Sequence, residues 1–281
     1  MSPDDESTGA AGAAAKDRVV DLLAQEWEAL GRFLGQLDDA TWTRPALPGW
    51  DVHDVVAHLV GGERMLAGAP APDVPVEATA GEHVKNGIAR LNEAWIVTLR
   101  ARSHAELLDD FSAVTAERLS ALRSMTPEDF AAPSWTPVGD ATYGRFMEVR
   151  VFDTWMHEQD IRAAVHAPGH DAGPVAEQSV AEVVSALGYI VGKKAGLPAG
   201  SSVTFQLTGP VHRSVHVSVG ERASVVPGLP GPATVTLTLP SLLFVQMAGG
   251  RVDTDAAIEN VAIDGDRALG LQVAANLAYT I

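Results

Sequence analysis

The chain contains no cysteine. That excludes disulfides, thiolate-bound zinc and a cysteine nucleophile. Any thiol chemistry must therefore use a thiol that arrives as a small molecule. Basic residues are scarce, 20 against 36 acidic ones, and the formal charge is −16. A surface of that sign repels nucleic-acid phosphates and anionic lipid, so neither is expected as a partner. No apolar run approaches the roughly 20 residues that span a bilayer. An apolar signal segment is missing too: Met1–Ala13 is acidic, small and polar, and reads as a disordered leader of a cytoplasmic protein. The phosphate-loop pattern GxxxxGK[ST], the dinucleotide pattern GxGxxG, the zincin pattern HExxH and the hydrolase elbow GxSxG are all absent. Nucleotide hydrolysis, Rossmann-type dehydrogenation and serine hydrolysis lose their usual signatures with them.

What is present is a chain of 281 residues, 46% hydrophobic, enough for two cores. Val19, Leu22, Leu23, Trp27, Leu30 and Leu34 recur at helical spacing and place a helix over Ala14–Leu37. After an ordered loop at Pro45–Gly49, Asp51 is an N-cap candidate, with Asp54 in the first turn facing free amides. The helix it opens reaches about Leu66 and carries His58. Glu82–Arg102 reads as a third helix, continued by His104–Met125 after a kink near Ser103. Pro127–Asp140 reads as a proline-marked loop, and Tyr143–Val165 as the fourth long helix. Long helices joined by loops predict an antiparallel bundle over residues 14–170. Beyond Gly169–Pro174 the pattern changes. Val175–Gly192 reads as a helix, and Val203–Leu207, Val215–Val219 and Ala233–Leu239 as strands. Pro240–Met247 is helical, Val261–Ile263 a last strand and Asp266–Ala278 a last helix. Residues 171–281 thus form a small α+β domain.

The chemistry centres on VFDTWMHEQDIR, Val151–Arg162. Asp153 and His157 are one helical turn apart and share a face. The spacing suits a carboxylate steadying an imidazole, and it equally suits two ligands of a metal. His58, on a different helix, is the candidate third ligand. Three protein ligands leave an open position on a catalytic metal, and two histidines with a carboxylate suit zinc, iron or manganese. Asp160 is placed to orient His157. Arg150, three residues before Asp153, is a candidate for a substrate carboxylate or for a plain ion pair. Trp50 and Trp155 flank the ligands in sequence, as pocket walls or as core. The remaining histidines read as solvated or locally hydrogen-bonded.

PGWDVHDVVAHL, GRFMEVRVFDTWMHEQDIRAAV and GGRVDTDAAIENVAIDGDRALG together resemble the mycothiol-dependent maleylpyruvate isomerase family, over nearly the whole chain from about Ala14. The resemblance implies a DinB-like four-helix bundle followed by a domain similar to sterol carrier proteins. It implies a divalent metal, zinc first, held by His58, Asp153 and His157. In the family the carboxylate is usually glutamate, and this chain has Asp153, one methylene shorter. It implies mycothiol, a thiol of actinobacteria, as cosubstrate, which fits the missing cysteine. The substrate is then a small electrophile, and the reaction thiol transfer or cis–trans isomerisation, in a monomer or homodimer. The family isomerase points to an arginine of the second domain, for which Arg213 and Arg251 are the candidates. Two other functions stay open at this point: a binding protein for an apolar small molecule, and a metal enzyme that activates water without mycothiol.

Overall fold

The computed structural model describes residues 3–137 and 139–280. The chain divides into two compact units, Met1–Gly169 and His170–Ile281.

The first unit is mostly helical. Its elements are α1 (Pro3–Leu34), α2 (Asp39–Trp42), β1 (Pro45–Leu47), β2 (Trp50–Asp51), α3 (Val52–Leu66), α4 (Gly87–Leu99), α5 (His104–Ser124), α6 (Pro127–Ala131), β3 (Pro133–Thr136), β4 (Gly139–Thr142) and α7 (Tyr143–Ala164). The apolar stripe of α1 is buried as its spacing requires, from Val19 to Leu34. It packs on α5 and α7, while α3 packs on α4, α5 and α7. The disordered leader is corrected over Pro3–Ala13, which continues α1; Met1 and Ser2 lie outside the described residues. Alanine is the best helix former, and Ala10, Ala11 and Ala13–Ala15 let a helix anchored by its buried turns extend toward the N-terminus.

The expected kink near Ser103 is a complete break. Ser103 accepts from the amide of Glu106, and the Glu106 carboxylate accepts from the amide of Ser103. This reciprocal cap starts α5 afresh. The expected loop at Pro127–Asp140 holds α6 and part of an antiparallel hairpin, β3–β4. A second hairpin, β1–β2, turns through Pro48–Gly49, with Gly49 at φ +82°, where a side chain is strained. It delivers Asp51 to the start of α3, where its carboxylate accepts from the Asp54 amide at 2.9 Å.

α7 is buried along almost its whole length, and Arg150, Thr154, His157, Glu158, Gln159 and Asp160 are buried with it. So many ionisable groups in a core helix demand partners, because an unpaired buried charge is very costly. Their partners make the site.

The second unit opens with α8 (Pro174–Tyr189), which runs into one wider helical turn at Ile190–Lys194. The strands β5 (Ser202–Thr208), β6 (Arg213–Val219), β7 (Ala223–Val226), β8 (Val235–Pro240) and β9 (Ala262–Gly265) form one sheet in the order β7-β6-β5-β8-β9. Only β5 and β8 are parallel, with Val203 opposite Val235. α9 (Ser241–Ala248), α10 (Thr254–Ile258) and α11 (Arg267–Ala275) complete it. Alternation buries Val203, Phe205 and Leu207 of β5 with Val235, Leu237 and Leu239 of β8 on one face. Phe205 there meets Phe244 of α9 at 5.7 Å between ring centres. β7 and α10 are elements the sequence reading did not place. β7 is a short edge strand with little apolar alternation, and α10 is five residues long.

Candidate metal centre

α3 and α7 pack against one another and bring His58 to the Asp153–His157 pair. One ligand atom from each of the three lies within 4.8 Å of the others. His58 Nε2 is 3.7 Å from Asp153 Oδ2, and His157 Nε2 is 3.8 Å from Asp153 Oδ1. The two imidazoles meet edge to face, 4.8 Å between centres. These separations are too long for hydrogen bonds. They are close to the roughly 3.3 Å between donors that each bind one zinc ion at about 2.0–2.1 Å. Both histidines are buried, whereas the Asp153 side chain is 32% exposed, so the carboxylate marks the open side of the cluster.

The protonation states suit cation binding. Burial pushes the pKa of His58 below its ordinary 6.5, against the opposing pull of Asp153. Its ring is therefore neutral at pH 7, with a lone pair to give. Burial acts to raise the pKa of Asp153, but Arg150 first, then His58 and His157, outweigh it and hold the carboxyl well below its ordinary 3.8. The carboxylate of Asp160 accepts from Nδ1–H of His157 at 3.1 Å, which fixes the tautomer and aims Nε2 at Asp153.

Behind Asp153 runs a chain of buried charges. Arg150 donates from Nη1 to Asp153 Oδ2, and from Nε and Nη2 to Glu63 Oε1 at 3.0 and 2.8 Å. Glu63 Oε2 accepts from Arg118 Nε at 3.0 Å, and Arg118 Nη2 donates to the Tyr143 hydroxyl at 2.8 Å. Glu63 is 1% exposed, Arg118 4% and Arg150 7%. The guanidinium of Arg150, considered above for a substrate carboxylate, is thus engaged with two carboxylates of the protein itself. A guanidinium in that position sets where Asp153 points. Arg251 belongs to the second unit, where its Nη1 donates to the Gly249 carbonyl at 2.8 Å. Trp155 is core, 1% exposed. Trp50 stands at the site, its ring 5.3 Å from that of His58 and 6.3 Å from that of His157.

Two domain models match the chain in succession. The mycothiol maleylpyruvate isomerase N-terminal domain matches residues 23–162, and the corresponding C-terminal domain matches residues 177–272. The chain belongs to the mycothiol-dependent maleylpyruvate isomerase family. The crystal structure of the mycothiol-dependent maleylpyruvate isomerase has 18% sequence identity and a TM-score of 0.55, covering 89% of this chain and 92% of that one. A histidine-to-alanine mutant of that enzyme gives 17% identity and a TM-score of 0.56 over the same shares. At such identities the likeness speaks for the two-domain fold, a mostly helical unit followed by an α+β one. A ubiquinone synthesis protein, UbiJ-SCP2, aligns with 38% of this chain and all of its own at 16% identity, with a TM-score of 0.29, too low to carry an argument. No curated protein sequence matches significantly.

Asp153 is tethered through Arg150 to Glu63, so a buried ion chain anchors it from behind. Glu63 and Arg118 went unnoticed in the sequence, although each leaves a trace. Glu63 is a charge within the apolar run VVAHLVGGERML. Arg118 falls on the buried stripe of Leu107, Phe111 and Leu122. A charge on an apolar stripe signals a buried partner.

Proposed function

We propose that this chain is a metal-dependent enzyme that uses mycothiol to attack a small electrophilic substrate, either as an S-transferase or as a cis–trans isomerase of the maleylpyruvate type. The observation that carries this reading is the convergence of His58, Asp153 and His157 from two helices, in a family member that has no cysteine of its own. The donor set fits a divalent cation: two imidazoles presenting Nε2, one ionised carboxylate, and an open side at Asp153. Zinc is the first choice, and iron and manganese accept the same donors. A cation bound there favours the thiolate form of a thiol at neutral pH.

The residues of the chain divide the remaining work. His58 and His157 present Nε2, Asp160 holds the His157 tautomer, and Arg150 with Glu63 fixes Asp153. The thiolate sulfur adds to an electrophilic carbon of the substrate. In a transferase the anionic adduct takes back the proton that the thiol gave up, and the protonated adduct is the product. In an isomerase the former double bond has become a single bond, rotates, and reforms as the thiol leaves. Arg251 is our candidate on the second unit for a substrate carboxylate. The charge of −16 argues for small-molecule substrates rather than nucleic acid. Among the described residues no helix is long and apolar enough to cross a membrane. We assign the enzyme to the cytoplasm of an actinobacterium, as a monomer or homodimer.

Calorimetric titration of mycothiol into the metal-loaded protein tests this. Binding is expected to saturate, to weaken sharply in the metal-free protein and in His157→Ala, and to exceed that of glutathione, which lacks the sugar-like body. Absence of binding at thiol concentrations on the order of 1 mM, with metal shown to be present, refutes the cosubstrate and leaves a water-activating metal enzyme.

A further inference from the structure

The two imidazoles of the cluster are held by different means. His157 has its second nitrogen bonded to Asp160. His58 does not: its Nδ1 is buried and has no hydrogen-bond partner among the described residues. A ligating histidine is ordinarily oriented by a hydrogen bond from its other nitrogen. His58 has an aromatic plane instead. The Trp50 indole lies 5.3 Å from the His58 ring, tilted by 30°.

That indole is itself fastened. Trp50 Nε1 donates to Glu93 Oε2 at 3.0 Å. Glu93, 3% exposed, also binds His83 Nε2 at 3.1 Å through Oε2 and accepts from Arg100 Nη2 at 3.2 Å through Oε1. Arg100 in turn grips both oxygens of Asp54, in the first turn of the helix that carries His58. The His83 ring leaves no room around it: a Cβ on Gly49 would come within 2.4 Å of it and one on Gly81 within 2.6 Å. Gly49 is the residue before Trp50. A buried carboxylate, an arginine, a histidine and two close-packed glycines therefore converge on the placement of one indole.

We propose that Trp50 is the positioning residue of His58, orienting the imidazole by ring contact where no hydrogen bond is available, and that Glu93 holds Trp50 in place. This rests on the metal-centre reading above. It predicts that the flat ring, not merely its volume, supports metal binding. Losing the orienting contact of a ligating histidine typically costs 10–100-fold in metal affinity.

The test measures zinc affinity by competition with a chromophoric chelator, independent of any activity, on the full chain. Trp50→Phe keeps a plane and is expected to bind within about threefold of the parent. Trp50→Leu fills space without a plane and is expected to bind about tenfold more weakly, with the helix content of the metal-free protein unchanged. Glu93→Gln, which leaves one oxygen to serve Trp50, His83 and Arg100, is expected to fall between them. If Trp50→Leu does not fold, Trp50→Met takes its place, being equally unable to offer a plane. Equal affinity of the parent and the Leu or Met variant overturns the proposal while leaving the metal centre intact. So does an equal loss in the Phe and Leu variants, which would make the indole a space-filler. A parent protein that binds no zinc, cobalt or manganese refutes the metal centre itself, and is a different result.

Discussion

Glu63→Gln keeps the shape of a side chain and removes its charge, at the point where the ion chain behind the site is most buried. Glu63 accepts three N–H bonds from two arginines, at 2.8, 3.0 and 3.0 Å. With an amide in its place, two buried guanidiniums face one another across a neutral group that offers a single acceptor. Removing one member of a buried ion pair costs about 3–5 kcal/mol. Arg150 keeps Asp153, and Arg118 keeps the Tyr143 hydroxyl, so the low end applies, about 3 kcal/mol. That is a large part of the 5–15 kcal/mol that typically holds a domain. For a unit of this size it corresponds to a fall of about 6–12 °C in Tm. Urea unfolding followed by helical circular dichroism, on metal-free protein, measures it without interference from metal loss. Adding Arg118→Met to Glu63→Gln should cost less than the sum of the two single changes, by more than about 1 kcal/mol, because the second change removes the charge that the first left unpaired. A Glu63→Gln protein within about 0.5 kcal/mol of the parent would refute the reasoning, for it would mean that the arginines find other partners at no cost and that Glu63 does not anchor Asp153.

Two further outcomes are expected. Asp153→Ala should lower metal affinity strongly and remove the added stability that metal confers, while Asp153→Glu should retain metal; chelator competition decides, and an Ala variant that binds as tightly as the parent shows that Asp153 is no ligand. His58, whose pKa burial holds below 6.5, makes the metal-free protein less stable as the pH falls through that value: the unfolded chain takes up a proton there and the folded chain does not. The loss levels off below the folded pKa, and His58→Gln should flatten the slope of unfolding free energy between about pH 6.5 and 5.

Much of this was legible in the sequence. The α1 stripe, the Asp51 cap and the Asp153–His157 spacing follow from rules that act within a few residues: helical periodicity, free amides at a helix start, and the shared face of residues four apart. The absence of cysteine limits the chemistry with no fold needed. Asp160 sits one turn from His157, so its part was equally local. The break at Ser103 was written as a capping box, Ser103 and Glu106, though both flanking segments look helical and the signal is easy to pass over. Residues far apart in sequence were another matter. That His58 faces Asp153 depends on how α3 lies against α7, and no spacing along the chain encodes it. The same holds for Glu63, Arg118 and Arg150, which come from three helices. A charge on an apolar stripe announces a buried partner, but the stripe does not say which residue that partner is. Only packing removes the water and forces them to satisfy one another. Trp50 shows the limit most clearly. Its neighbours in sequence, Gly49 and Asp51, describe a turn and a cap. Its place against His58 is set by Glu93 on another helix and by His83 in a connecting loop, contacts that exist only once the tertiary structure has closed around them.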